Sequence, residues 1–137
     1  MFVRLALAAS FLSAVADRCG LWGRPGTPGV AWGDWPHFVA YTAKLVWFFP
    51  AALVTLSAWT ATIAEVLLAV ALLTGVFPRI VGLASAGLLS LFAFSMTVAL
   101  GIKAPLDYSV FTAAGAAFLL AAISPRIGIV AKLKDCA

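Results

Sequence analysis

Residues 80–102 read IVGLASAGLLSLFAFSMTVALGI, 23 positions without one charged side chain. At ~1.5 Å per residue such a helix is ~35 Å long, enough to cross the ~30 Å hydrocarbon core of a bilayer. Small residues recur along it at four-residue intervals: Gly82, Ala86 and Ser90, then Ala93, Thr97 and Gly101. In lipid, helices associate by close approach at such ladders, because greasy side chains gain nothing by leaving an equally greasy solvent. The stretch therefore predicts a transmembrane helix, and the flanking sequence is read for what would accompany it.

The composition agrees. The chain has 137 residues, 64% of them hydrophobic and 10% charged, with a mean hydropathy of +1.10. A water-soluble domain is about 45–50% apolar and about 25% charged. A soluble fold this small has too little interior to hide so much apolar surface. Upstream, residues 45–77 form a run whose one charge is Glu65. As one helix it would be ~50 Å long, too long for one crossing. Pro50 is the natural break. The expectation is a short interfacial or tilted piece at 45–55 and a helix over 57–76, ended by Gly75, Pro78 and Arg79.

Downstream, the turn at 103–107 leads into a helix expected over 107–125, whose small face is Ala113, Ala114, Ala117 and Ala121. A charged tail with Arg126, Lys132, Lys134 and Asp135 follows. At the other end, Arg4, the apolar run 5–16 and Ala14-Val15-Ala16 imitate a secretory signal. Three further apolar segments favour instead a retained first helix over 2–22. The fold expected is all-α: a single-domain, four-helix transmembrane bundle over residues 1–137. Residues 20–44 alternate Gly20, Gly23, Gly26, Gly29 and Gly33 with Pro25, Pro28 and Pro36, and carry Trp22, Trp32 and Trp35. Turn chemistry makes this a loop, and its indoles place it at the membrane–water interface or make it a small cap.

Four helices put both ends on one side. The inner segments would carry Arg4, Arg79, Arg126, Lys132 and Lys134, and the outer ones Arg18, Arg24, Lys44 and Lys103. The basic bias favours both termini in the cytoplasm. Cys19 and Cys136 then lie on opposite faces. With one histidine and no Cys-x-x-Cys spacing, the chain alone cannot assemble a zinc, bis-histidine haem or iron–sulfur site, so no metal is expected. The net charge of +4 forms no basic stripe of the kind that binds nucleic acid; it suits anionic headgroups of a lipid bilayer.

Glu65 is the most informative residue. A carboxylate near mid-span must be paired, protonated or turned to a polar cavity. Arg18, near the outer end of the first helix, is its expected partner, with Asp17 beside it as a second acceptor. Lys103, Asp107 and Tyr108 are expected to join them from the same side, as a binding site for a polar headgroup, a proton relay or an ion-pair lock. His37, after Trp35 and Pro36, is a candidate for proton exchange, since imidazole titrates near neutral pH. Cys19, beside Arg18, is a candidate reactive thiol.

Three stretches resemble the DoxX family of small four-helix membrane proteins. One is the first helix, from Arg4-Leu5-Ala6-Leu7 to Phe11-Leu12-Ser13-Ala14. The second runs from Ala61-Thr62-Ile63-Ala64-Glu65 through Thr74-Gly75 to Arg79. The third comprises the turn Gly101-Ile102-Lys103-Ala104-Pro105-Leu106-Asp107-Tyr108-Ser109 and the loop Pro25-Gly26-Thr27-Pro28-Gly29-Val30-Ala31-Trp32-Gly33. The resemblance implies a bundle in a bacterial cytoplasmic membrane, with Glu65 and Arg79 at recurrent acidic and basic positions. It also implies a link to thiosulfate:quinone oxidoreductase subunits or to oxidative and thiol stress. Three roles follow as expectations: a redox-associated protein with quinone as cofactor, a non-catalytic subunit or scaffold for a partner redox enzyme or a homo-oligomer, and a small transporter.

Overall fold

The computed structural model describes residues 1–124. The charged tail, Cys136 and the last residue of the helix expected over 107–125 lie outside them. Six helices, and among the described residues no strand, make up the chain: α1 Phe2–Arg18, α2 Trp35–Leu45, α3 Ala51–Thr74, α4 Pro78–Leu100, α5 Lys103–Asp107 and α6 Val110–Ile123.

The helix limits follow local chemistry. Pro50 caps α3 in extended conformation, so residues 51–55 continue the long helix and are not a separate interfacial piece. Its far end closes at Gly75, whose φ of 76° is the left-handed conformation that glycine adopts without penalty. Pro78 then occupies the first turn of α4, where its missing N–H costs nothing. α1 stops at Arg18, four residues short of the expected end, because Cys19 and Gly20 turn the chain. The expected 107–125 helix is two pieces. α5 is one turn around Pro105, and Ser109 at φ 55° breaks the chain before α6 begins.

Two helices, α3 and α4, are long and apolar enough to cross a membrane, with mean hydropathy 1.9 in each best window. α1 at 17 residues and α6 at 14 are shorter than that length. Only 22% of the α3 window and 28% of the α4 window are buried inside the protein. Their outward surfaces carry large apolar side chains such as Ile63, Leu67, Leu91, Phe94 and Val98.

α1 and α3 form one antiparallel pair and α4 and α6 another; contact between the pairs is thinner. All four helices feed one core, with Leu7 and Phe11, Ala69 and Leu72, Val81 and Leu89, and Ala117 and Leu120. The α4–α6 crossing is tight at Gly82, where an added Cβ would come 2.9 Å from the Ala121 nitrogen and 3.1 Å from the Ala117 oxygen. The ladder predicted there holds for Gly82 and Ala86 but not for Ser90, which faces outward.

The 20–44 segment is only partly a loop, because its second half is α2. Asp34 caps that helix by accepting from the His37 N–H at 2.8 Å, and Pro36 sits in its first turn. The first half folds back on itself. Gly33 passes so close to the backbone at Arg24–Pro25 that a Cβ would come 2.8 Å from the Arg24 carbonyl carbon. α2 packs on the part of α3 that rises beyond the end of α1, with Trp35 and Trp59 centroids 4.4 Å apart.

Candidate functional site: a lidded ion pair at the end of α1

Arg18 and Glu65 meet because α1 ends level with the middle of α3. Glu65 lies 14 residues from the start of α3, or ~21 Å along the helix, deeper than the ~12 Å expected from a helix beginning at residue 57. Arg18 therefore need not reach down to it. The Nη2 group donates to Oε1 of Glu65 at 2.9 Å, and Nη1 lies 2.6 Å from Oε2. Nη1 also donates to the Thr62 hydroxyl at 2.7 Å, which in turn donates to the Ala58 carbonyl at 2.9 Å. The Nη1–Oε2 contact is close but off the N–H direction, so Oε2 keeps an unused lone pair.

The pair is sealed. Arg18 is 4% exposed and Glu65 2%. The guanidinium lies 3.8 Å from the Phe38 ring centroid and 5.2 Å from that of Trp32. A cation over an aromatic face in a desolvated place gains about 2 kcal/mol or more. Phe38 packs in turn on Trp32 and Trp35 at 5.1 Å and 5.7 Å, and Tyr41 stands 5.7 Å from Trp32. Trp32 of the proline- and glycine-rich loop thus forms a lid with Trp35, Phe38 and Tyr41 of α2, whereas Trp22 is 61% exposed and donates its indole N–H to the Ser13 carbonyl. Burial, and secondarily the neighbouring Tyr108, raises the Tyr41 phenol above its ordinary value.

Asp17 is equally buried, at 5% exposed, but serves a different partner. Its Oδ2 accepts the Trp32 N–H at 2.7 Å and so ties the lid to α1. Its Oδ1, the Arg18 Nε and the Ser85 hydroxyl have no hydrogen-bond partner among the described residues. Ordered water is the usual answer to such groups. Two carboxylates and one guanidinium give this interior a formal excess of one negative charge.

The remaining expected members do not gather here. Lys103 pairs with Asp107 one helical turn away on the surface of α5. Tyr108 is 67% exposed. The cluster predicted from six residues is therefore three, and the reason is local: an i,i+4 partner satisfies Lys103 before a distant one can. His37 lies at the start of α2 with its Nδ1 2.7 Å from Asp34 Oδ1, on the exposed side. The Asp34 carboxyl is held below its usual range by the His37 backbone N–H and then by the ring. Cys19 is exposed, whereas the neighbouring guanidinium is buried on Glu65. Arg79 opens α4 beside Phe118, at a small hollow of about 230 Å³ between α4 and α6.

Three contributors were not foreseen. Thr62 stands at i−3 from Glu65, so its place on the same face was readable and its hydroxyl was the overlooked clue. Phe38 carries no local sign of its role, because nothing in a loop-like segment tells where a helix will dock. Arg4, expected only as a positive end, caps the far end of α3: Nε donates to the Leu72 carbonyl at 2.8 Å and Nη2 to that of Leu73 at 3.2 Å. Between α3 and α4 an open apolar groove of about 530 Å³ is lined by Ala64, Leu67, Leu68, Ala84, Gly87, Leu88 and Leu91.

Comparison with protein-family models, curated proteins and solved structures finds no match.

Proposed function

We propose that this chain is an integral membrane protein of the DoxX type, built on α1, α3, α4 and α6 in a bacterial cytoplasmic membrane, and that it serves as a membrane subunit of a redox-associated complex. Both termini then face the cytoplasm. The observation that carries this reading is the inverted distribution of polarity. Asp17, Arg18 and Glu65 are turned inside, while the outer faces of α3 and α4 are apolar apart from hydroxyls such as those of Thr60 and Ser90. In water that arrangement is unfavourable twice over; in lipid it is the expected one. The role of subunit rather than enzyme is supported by the closure of the polar cluster. Among the described residues Arg18 is held by Glu65 and Thr62 beneath the aromatic rings, and Asp17 is tied to the lid, so the cluster is closed over. Purification from native membranes in mild detergent tests the role: a partner at fixed stoichiometry is expected, and a protein that reproducibly purifies alone would overturn it.

A second reading, a quinone-binding protein, is favoured by the groove between α3 and α4. Its apolar walls match an isoprenoid chain, and one of the residues lining it, Ala64, precedes Glu65 in α3. A quinone carries its own electron chemistry, so the protein need only hold and orient it. Titration in nanodiscs should then raise the unfolding temperature of the parent chain and not of Gly87→Phe, which fills the groove. No shift in the parent would rule the reading out.

A further inference from the structure

The turn between α2 and α3 presents three consecutive aromatic rings, Trp47, Phe48 and Phe49. They are held as one unit: Trp47 and Phe48 are edge-packed at 5.7 Å, and Phe48 and Phe49 at 4.8 Å. The Phe49 N–H donates to the Val46 carbonyl at 2.8 Å, which fixes the turn that carries them. Phe49, 39% exposed, roots the group on the protein, whereas Trp47 at 72% and Phe48 at 62% project from it. The Trp47 indole N–H has no partner among the described residues. A side chain with a large apolar body and an unmet donor is best placed where hydrocarbon and water meet.

The surroundings have the matching charge. Lys44, exposed at the end of α2, has no ion-pair partner among the described residues. α4 runs back from the turn at 75–77, so its last residues and α5 come to the same end of the molecule. At the opposite end of α3 the marker is different: Arg4 caps the helix and Arg79 begins the next. The ends of α3 thus carry an aromatic boundary and an arginine boundary, ~36 Å apart along the helix.

We infer that the Trp47–Phe48–Phe49 turn, flanked by Lys44, is an anchor that sits at the headgroup level of an anionic lipid leaflet and sets how deeply α3 is immersed. The inference rests on the reading of α3 and α4 as membrane spans. It places the Arg18–Glu65 pair ~21 Å below that leaflet's surface region, nearer the arginine end.

The test uses the full chain with Cys19→Ser and Cys136→Ser, and a single labelling site at either Ala51→Cys, beside the turn, or Ile63→Cys, on the outward face of α3. Each is labelled with an environment-sensitive fluorophore and reconstituted in vesicles with or without phosphatidylglycerol. Lipids carrying quenchers at shallow or deep positions are compared with aqueous iodide. At Ala51 the ratio of shallow to deep quenching should exceed one, and at Ile63 it should fall below one. Trp47→Ser/Phe48→Ser should increase iodide quenching at Ala51 and leave Ile63 unchanged. Lys44→Ala should remove the part of the Ala51 depth that depends on phosphatidylglycerol. Lipid quenching at Ile63 with only iodide or only deep quenching at Ala51 would overturn the anchor and spare the spans. Iodide quenching at both sites would overturn the spans themselves.

Discussion

Removing one partner of the Arg18–Glu65 pair should destabilise the protein far more than removing both. Glu65→Leu leaves a guanidinium 4% exposed, with only the Thr62 hydroxyl and the aromatic rings for company. Arg18→Met leaves the Glu65 carboxylate equally bare. Breaking a buried pair from one side costs about 3–5 kcal/mol, because the surviving charge has lost its counter-ion and cannot reach water. The double variant buries two apolar side chains of similar bulk and leaves neither charge behind. Such replacements of whole pairs range from neutral to stabilising by about 1–4 kcal/mol. Loss of the contact with the Phe38 ring offsets up to about 2 kcal/mol of that gain. The double variant is therefore expected within about 2 kcal/mol of the parent, and the coupling energy at no less than about 3 kcal/mol. Equilibrium unfolding by dodecyl sulfate titration in mixed micelles, followed by tryptophan fluorescence, measures all four corners of the cycle. If the two single losses add to within about 0.5 kcal/mol, the groups do not act as a pair and the account of the site is wrong.

Other expectations follow from the packing and the helix ends. Gly82→Ala should lose about 1–3 kcal/mol, since its Cβ meets backbone atoms of α6 that cannot yield separately. Gly87→Ala meets nothing within 4 Å and should gain about 0.5–1 kcal/mol from helix propensity; a similar effect at both positions in thermal unfolding would refute the crossing. Arg4→Gln should lose about 1–2 kcal/mol by freeing the last carbonyls of α3, and Gly75→Ala should be worse, because it adds backbone strain to a clash with the same guanidinium. Hydrogen exchange confined to the last turn of α3 would report the first change, and unchanged protection there would count against the cap. The Asp34 carboxyl titrates below its ordinary value of 3.8, with the His37 N–H as the main cause. Its contribution is complete above that value and is lost as the pH falls through the lowered one, so exchange at the first turn of α2 should rise only in strong acid. Asp34→Asn, which caps without a charge, should show a flat profile over the same range.

The long apolar helices were legible because hydropathy and breakers are local properties. Pro50 and Gly75–Pro78 mark the ends of α3 whatever the rest of the chain does. Glu65 was legible for a related reason: one carboxylate in a long apolar run must find a partner, and few cations stood within reach. The end of α1 was misjudged, because Leu21 and Trp22 restore apolar character after Asp17 and Arg18, while the helix stops at Arg18. α2 was missed because five glycines and three prolines dominate residues 20–36, whereas the helix-forming stretch begins at Trp35 behind an aspartate cap. Lys103 and Asp107 were drawn toward Glu65 by their side of the bundle, although their spacing of four already offered each the other.

Periodicity and composition predicted a helical chain with four membrane helices, of which two, α3 and α4, have the length and hydropathy to cross a bilayer, and they showed that residue 65 needs a counter-charge. Those conclusions depend on neighbours within a few turns of the same helix. Only the folded chain decided the geometry in which the expected Arg18 meets Glu65, that Asp17 holds the lid, and that Phe38 lies on the guanidinium. Such contacts depend on the height and rotation of one helix against another, and these are fixed by close approaches such as Gly82 against Ala117 and Ala121. Many small steric fits, summed over the interfaces, choose the register, and no single segment contains that sum.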